Sequence, residues 1–344
     1  MHILDGSHGE GGGAILRIAT ALALINQESV KIENIRKKRP KPGLMTQHLM
    51  GIHALSEFCG GELEGAYLGS ETIKFTPSTE WKSHLRISIP TAGSIGLILQ
   101  TLQLAILATR NHSLNIEFIG GATFGKWAPS IPYVNHVTWD IFRQMNCKFE
   151  LAINRHGFYP KGGARVTVSI SSPFSLPGLK LDVYSKPKEA KIFSFASKHL
   201  EKAQVAQRQS KVIVNALKNY SILFETFNNY VDAKNPGSGV LIFSKTGNSV
   251  IGGDFVGERK LRAEEVGLKA FKRYITTVNK HCTVDPFLAD QIIPIMAIAS
   301  TPSVLLTPYL SNHTKTNISL VKELLDVSIQ DEKINDRFMI SIDI

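Results

Sequence analysis

Asp5-Gly6-Ser7-His8-Gly9-Glu10-Gly11-Gly12-Gly13-Ala14-Ile15-Leu16-Arg17 sets five glycines around one carboxylate and runs straight into an apolar segment. Glycine lets a backbone turn sharply and approach a ligand, at an entropic cost. A tight turn of small residues feeding an apolar helical run occurs three times. It appears at Gly9 to Ile25, at Ala92-Gly93-Ser94-Ile95-Gly96 running to Leu107, and at Leu288-Ala289-Asp290-Gln291 running to Ala299. The runs are apolar on nearly every side, which predicts buried helices packed on sheets. Candidate strands lie between them, at Ser29–Ile35, Glu62–Phe75, Leu85–Ile89, Ser113–Ile119, Lys148–Asn154 and Ala164–Ile170. Strands interleaved with helices predict an α+β architecture with repeated units.

The texture changes between about Asp182 and Asn279. Strands are expected at Ala190–Phe195, Ser221–Phe227, Gly239–Ser244 and Ser249–Phe255, with a lysine-rich amphipathic helix at Lys198–Lys218 and a second helix at Arg262–Tyr274. A β-α-β-β-β-α run of this length can hold its own core. It reads as a domain, residues 182–279, inserted into a larger one made of residues 1–181 and 280–344.

The 344 residues are 43% hydrophobic and 20% charged, the balance of a globular protein. No apolar run reaches the length of a membrane span, and Met-His-Ile-Leu-Asp has no basic region of a signal peptide. Cys59, Cys147 and Cys282 are too far apart for a ligand motif, which favours a reducing, cytoplasmic setting. A net charge of +10 favours a polyanionic partner, nucleic acid first. The densest cations lie in Arg36-Lys37-Lys38-Arg39-Pro40-Lys41-Pro42, where the prolines impose a loop.

Several residues carry candidate chemistry. Glu10 among glycines could hold a hard cation bridging phosphates, or it could complement a helix dipole. Arg17, inside an apolar run, either pairs with a buried carboxylate or reaches an anion. Arg36 and Arg39 could clamp phosphates with their planar forks, beside Gln47 and His48 at the start of the next helix; a solvated basic turn is the alternative. His156-Gly157-Phe158-Tyr159-Pro160-Lys161-Gly162-Gly163 reads as a hairpin turn in which Lys161 could face a phosphate. His313 lies in Ser311-Asn312-His313-Thr314-Lys315-Thr316-Asn317-Ile318, read as a loop before a helix capped by Thr316. The helix dipole would keep its imidazole neutral and nucleophilic. No His-Glu-x-x-His, Gly-x-Ser-x-Gly or paired-cysteine motif is present.

The ordered set of segments resembles the RNA 3′-terminal phosphate cyclase family. The matching pieces are Asp5-Gly6-Ser7-x-Gly9-Glu10-Gly11-Gly12-Gly13 with Leu16-Arg17, Lys41-Pro42-Gly43-Leu44 with Gln47-His48-Leu49, and Ala92-Gly93-Ser94 with Gln100. Gly120-Gly121 with Ala128-Pro129, His156 to Pro160, Gly257-Glu258-Arg259, Leu288 to Gln291, and His313 with Thr316-Asn317-Ile318 follow. The resemblance implies a large domain of three repeats, each a four-stranded sheet with two helices, as in enolpyruvyl transferases, and a thioredoxin-like inserted domain. It implies ATP-dependent conversion of an RNA 3′-phosphate to a 2′,3′-cyclic phosphate through a covalent histidine–AMP intermediate. By position, His313 would be the nucleophile and Glu10 the ligand of Mg²⁺ or Mn²⁺. Arg17, Arg36 and Arg39 would hold phosphates, with Gln47 beside them, and Gln100, Pro129, Phe287, Asp290 and Gln291 would form the nucleotide pocket. The chain departs from the family pattern at Phe287, where Tyr is usual, at Ala14 in place of Gln and at Pro132 in place of Asp. Two other readings share the fold: a catalytically inactive cyclase-like RNA-binding or ribosome-biogenesis protein, which would lack the histidine and the arginine set, and a small-molecule enolpyruvyl transferase, which would need a longer chain.

Overall fold

The computed structural model describes residues 1–9 and 11–344. The first unit runs β1 (His2–Asp5), α1 (Gly13–Asn26), β2 (Val30–Glu33), α2 (Thr46–Cys59), β3 (Glu62–Glu64) and β4 (Ile73–Thr76). The second runs β5 (His84–Ser94), α3 (Ile95–Ala108) and β6 (Ser113–Ala122). Then α4 (Ile131–Tyr133) continues through a π turn at Val134–Thr138 into α5 (Trp139–Gln144), before β7 (Lys148–Arg155) and β8 (Arg165–Ser171). The third begins with β9 (Lys180–Leu181). It is interrupted by β10 (Glu189–Ser197), α6 (Val205–Leu217), β11 (Leu223–Val231), β12 (Ser238–Thr246), β13 (Ser249–Val256) and α7 (Ala263–Asn279). It resumes with α8 (Pro286–Met296), β14 (Ser303–Thr307), α9 (Asn312–Leu324), β15 (Ser328–Ile334) and β16 (Arg337–Asp343).

Among the described residues the strands form four sheets of four strands, and three of them share one topology. Their orders are β1-β2-β4-β3, β5-β6-β8-β7 and β9-β14-β16-β15. In each, the first two strands are parallel and joined across a helix, because parallel neighbours need a crossover connection. The second strand pairs antiparallel with the fourth, and the fourth with the third. Alternation of buried and exposed residues, clearest along β5 and β6, leaves one sheet face to solvent and turns the other inward.

The helices fill the space between the sheets. Helix α1 packs on α2, α3 and α9, α3 on α2 and α8, and α8 on α9. A helix with neighbours on several sides must be apolar all round. That is why Ile15, Leu16, Leu22 and Leu24 of α1, Ile98 to Leu107 of α3, and Leu288 to Met296 of α8 are dominated by apolar residues, with Arg17, Gln100, Asp290 and Gln291 among the polar exceptions that reach a cavity. Small residues let the axes close up; Ala19, Ala21 and Ala105 are fully buried.

The interrupting sheet, β11-β10-β12-β13, has the thioredoxin-like order: β10 is parallel to β11 and antiparallel to β12. Its core is a separate cluster in which Ile192, Ile242 and Ile251 face Ile213 of α6 and Val266, Ala270 and Tyr274 of α7. The opposite sheet face lies against the second unit, where His136 stacks on Phe193 and Phe243 at 4.8 and 5.2 Å.

Three segments differ from the sequence reading. The run Glu62–Phe75 is a hairpin, β3 and β4 joined by residues 65–72, because Gly65 and Gly69 at φ 73° and 84° turn the chain. The lysine-rich helix starts at Val205 rather than Lys198, since Gln204 is left-handed at φ 50° and Lys198–Leu200 is a separate 3₁₀ turn. The segment 131–144, helical in the structure, carries no unbroken apolar run to mark it; Pro132 in its first turn and the π turn disturb its period.

His156, behind the β7–β8 hairpin, is buried, and burial pulls its pKa from 6.5 down to about 4. The unfolded chain therefore binds a proton that the folded chain refuses between those two values. This contribution is full above pH 6.5 and is lost as pH falls through 4. The His156→Gln variant should show a shallower fall in stability from pH 6.5 to 4.5, by about 1.4 kcal/mol per pH unit, read from urea denaturation across that range.

Candidate active site

One cavity of about 320 Å³ opens where α1, α3, α8 and α9 meet the inserted sheet, within the range of small-molecule sites. Arg17 from α1, Gln100 from α3, Pro129 from the loop after β6, Phe287, Asp290 and Gln291 from α8, and His313 from α9 all line it. These seven residues are separated by up to 296 positions in the chain (313 − 17). The packing of one helix from each unit against the next is what gathers them.

His313 does not precede its helix. Ser311 is the N-cap, accepting from the Thr314 N–H at 3.0 Å, and α9 begins at Asn312. His313 thus sits half-buried in the first turn, where backbone N–H groups favour an anion. Thr316 is internal to the helix. Its hydroxyl donates to the Asn312 carbonyl at 2.8 Å, the back-bond of a threonine inside a helix rather than the contact of a cap. A serine one turn earlier, with Thr314 completing a reciprocal box, outcompetes it.

Asp290 locks this turn in place. Its Oδ1 accepts from the Ser311 and Thr314 hydroxyls, and its carbonyl accepts from Asn317 Nδ2 at 2.7 Å. Asn317, one helical turn beyond His313, is buried, lines the cavity, and among the described residues its Oδ1 finds no hydrogen-bond donor. Gln291 has both ends of its amide engaged: Oε1 accepts from Thr138 at 3.0 Å and Nε2 donates to the Phe287 carbonyl at 2.9 Å. It therefore holds the π turn and Phe287 together at the cavity wall.

Asp285, absent from the sequence reading, anchors the same wall. It is fully buried and caps α8, accepting from the Phe287 and Leu288 N–H groups at 3.0 and 3.1 Å. The Tyr133 hydroxyl reaches both its oxygens at 2.8 Å, and the Gly252 N–H reaches Oδ2 at 3.1 Å. Burial raises its pKa to about 6, against the lowering effect of these donors. Only the cap position hinted at it: an aspartate followed by proline at a helix start.

Arg36, Arg39 and Gln47 do not line the cavity. Arg36 Nη1 donates to the Lys41 and Gly43 carbonyls at 2.7 and 2.8 Å and so closes the basic loop on itself. Gln47 accepts from the Ser94 N–H at 3.4 Å. The link between loop and cavity is His48. It is buried, and burial, then the guanidiniums of Arg17 and Arg36, pull its pKa down to about 3. A neutral ring whose Nδ1 accepts from Met45 N–H carries its proton on Nε2. That nitrogen faces Gly13, where an added Cβ would stand 2.2 Å away and 3.0 Å from Arg17 Nη1. Gly13 is therefore needed for contact, and Gly9 likewise, since a Cβ there would overlap the Thr316 hydroxyl of α9. Glu10 lies outside the described residues. Lys161 is exposed beside the insertion, its N–H donating to Asn235 Oδ1 at 3.3 Å.

Lys126 and, from the insertion, Glu258 both line the cavity and pair at 2.9 Å, an exposed ion pair worth about 0–1 kcal/mol. Among the described residues no group of three or more His, Cys, Asp or Glu could hold a metal by itself. A cation carried on a polyphosphate needs fewer protein oxygens, because the phosphates supply the rest. The architecture defines a protein of three β-α-β-α-β-β units with an insertion in the third, whose helices present His313, Arg17 and Arg273 to one cavity. A family model for RNA 3′-terminal phosphate cyclase matches residues 8–330. The RNA 3′-terminal phosphate cyclase of Pyrococcus furiosus is 36% identical over 324 residues, covering 94% of this chain and 93% of its own. That of Methanosarcina barkeri is 36% identical over 342 residues, covering 98% and 99%. The chain belongs to the RNA 3′-terminal phosphate cyclase family. The enolpyruvyl transferase NikO from Streptomyces tendae aligns over 99% of this chain at a TM-score of 0.40 and 10% identity, the chain spanning 48% of that structure.

Replacing Asp285 leaves the Tyr133 hydroxyl and three backbone N–H groups without their acceptor. The Asp285→Ala variant should lose about 3 kcal/mol of unfolding free energy in urea denaturation, several times the loss from breaking Lys126–Glu258 with Glu258→Gln.

Proposed function

We propose that the protein converts an RNA 3′-terminal phosphate to a 2′,3′-cyclic phosphate, using ATP and a covalent histidine–AMP intermediate. The observation that carries this reading is the convergence of His313, Arg17, Gln100, Pro129 and Phe287, from five separate segments of the chain, on one cavity. The inactive cyclase-like alternative would lack the histidine and the arginine set, and both are present.

In this reading a nitrogen of His313 attacks the α-phosphorus of ATP. A P–N bond forms, the bond to the β-phosphate oxygen breaks, and pyrophosphate leaves. An oxygen of the RNA 3′-phosphate then displaces the imidazole and takes the AMP. The vicinal 2′-hydroxyl, already held beside the activated phosphorus, closes the ring, loses its proton and expels AMP. This last step draws on proximity. The protein's own work is orientation. Asp290, through Ser311 and Thr314, fixes the turn that carries His313, and the N-terminus of α9 favours the anionic phosphate there. Arg17 lies on the cavity wall, Arg36 is close enough to His48 to act on its charge, and Arg39 acts on Arg36 in turn, a set of cations suited to the nucleotide and RNA phosphates. Glu10 would hold Mg²⁺ or Mn²⁺, which neutralises triphosphate charge and so eases loss of pyrophosphate.

We also propose that residues 182–279 are an inserted domain. Its separate apolar core supports this, as does the chain path, which leaves β9 at Leu181 and rejoins the third unit at Pro286. We further propose that the protein is cytoplasmic.

Incubation with α-labelled ATP and a divalent metal should label the protein through an acid-labile, base-stable bond. The His313→Asn variant should show no label, and label at the wild-type level would refute the mechanism. An oligoribonucleotide ending in a 3′-phosphate should be cyclised while its 3′-hydroxyl counterpart stays inert; equal turnover would exclude this substrate. Glu10→Ala should weaken labelling and shift its metal titration, and an unchanged titration removes Glu10 from the site.

A further inference from the structure

Arg273 belongs to α7 of the insertion, yet it lines the cavity beside Phe287. Its guanidinium carbon lies 4.4 Å from the centre of the Phe287 ring and 4.9 Å from that of Phe255. One face of Phe287 is therefore covered by a cation, and a base stacking on this ring must use the other face. Phenylalanine has no hydroxyl with which to fix its own plane, so the guanidinium and the α8 cap at Asp285 orient it.

Asp254 joins the two walls of the slot. One oxygen accepts from the Ser130 N–H at 3.2 Å, adjacent in the chain to Pro129. The other faces Arg273 Nη1 at 3.4 Å, and the Asp254 carbonyl accepts from the same nitrogen at 2.9 Å. Pro129 and Phe287 are thus tied to one carboxylate, which sets the distance between them. Burial raises the Asp254 pKa while Arg273 opposes the rise, as expected for a carboxylate that needs this partner. The four groups come from the second unit, the insertion and the third unit, so neither body completes the slot by itself.

We propose that the insertion forms half of the nucleobase slot, with Arg273 a positioning residue that backs Phe287 and, through Asp254, fixes the spacing between Phe287 and Pro129. The proposal rests on the nucleotide reading above and adds a role for the insertion within it. Arg273 acts through the ring and touches no reacting atom, so its loss should weaken base binding and spare the phosphate subsite.

The test is equilibrium binding of AMP and of inorganic tripolyphosphate to the full-length protein, with the labelling rate followed against ATP concentration. Arg273→Met should weaken AMP binding and raise the KM for ATP about tenfold, with tripolyphosphate binding and the maximal labelling rate changed less than twofold. Arg273→Lys, which keeps a cation over the ring, should recover part of the AMP affinity. Asp254→Asn, which spares the ring contact, should show the same base-only pattern should Arg273→Met fail to fold. Equal weakening of AMP and tripolyphosphate in the folded variants, or unchanged AMP binding, overturns the proposal. Wild-type protein that binds tripolyphosphate but not AMP overturns both this inference and the nucleotide reading. AMP binding that is insensitive to Arg273 and Asp254 overturns this inference alone.

Discussion

A carboxylate with no exposed surface, Asp285, holds the structure together at the place where its parts meet. It accepts from Tyr133 of the second unit, Gly252 of the insertion and the first turn of α8 in the third. A buried charge is costly unless its lone pairs are filled, and here they are filled only when all three bodies are docked. Phe287, Asp290 and Gln291 follow on the same helix, so the cavity wall inherits its position from this cap.

The larger constraint above it is burial. Each of the three related sheets has an apolar face to cover, and each unit supplies helices to do so. The helices also cover each other, so α1, α3 and α8 have no solvent face to spare. Their ends converge, and helix ends bring N–H groups and capping hydroxyls that suit an anion. A site at such a junction combines residues that no local sequence window contains.

The insertion is tied to that junction at more than one level. Its sheet rests on the second unit through His136, Phe193 and Phe243, and its Asp254 and Arg273 reach the cavity. Its core is nevertheless separate. This is the pattern of a body with a packing core of its own that contributes side chains to a shared site. A displacement at its base would be felt at Phe287.

Much of this was legible in the residues. The apolar runs after small-residue turns marked α1, α3 and α8, because a helix buried on all sides has to be apolar on all sides. The candidate strands at Leu85–Ile89, Ser113–Ile119 and Ala164–Ile170 fall on β5, β6 and β8. The glycine cluster marked a close approach, which Gly13 against His48 and Gly9 against Thr316 now explain. What the residues did not reveal depends on contacts between distant segments. The cap of α9 went to Ser311 rather than Thr316 because Asp290, on another helix, fixes Ser311. Asp285, Asp254, Arg273 and Asn317 read as ordinary polar residues until packing placed them around one space. The sequence by itself determined which stretches must be buried, since hydrophobic periodicity is local. Tertiary structure alone decided which polar groups meet in the cavity, since that depends on how three similar units and an insertion pack together.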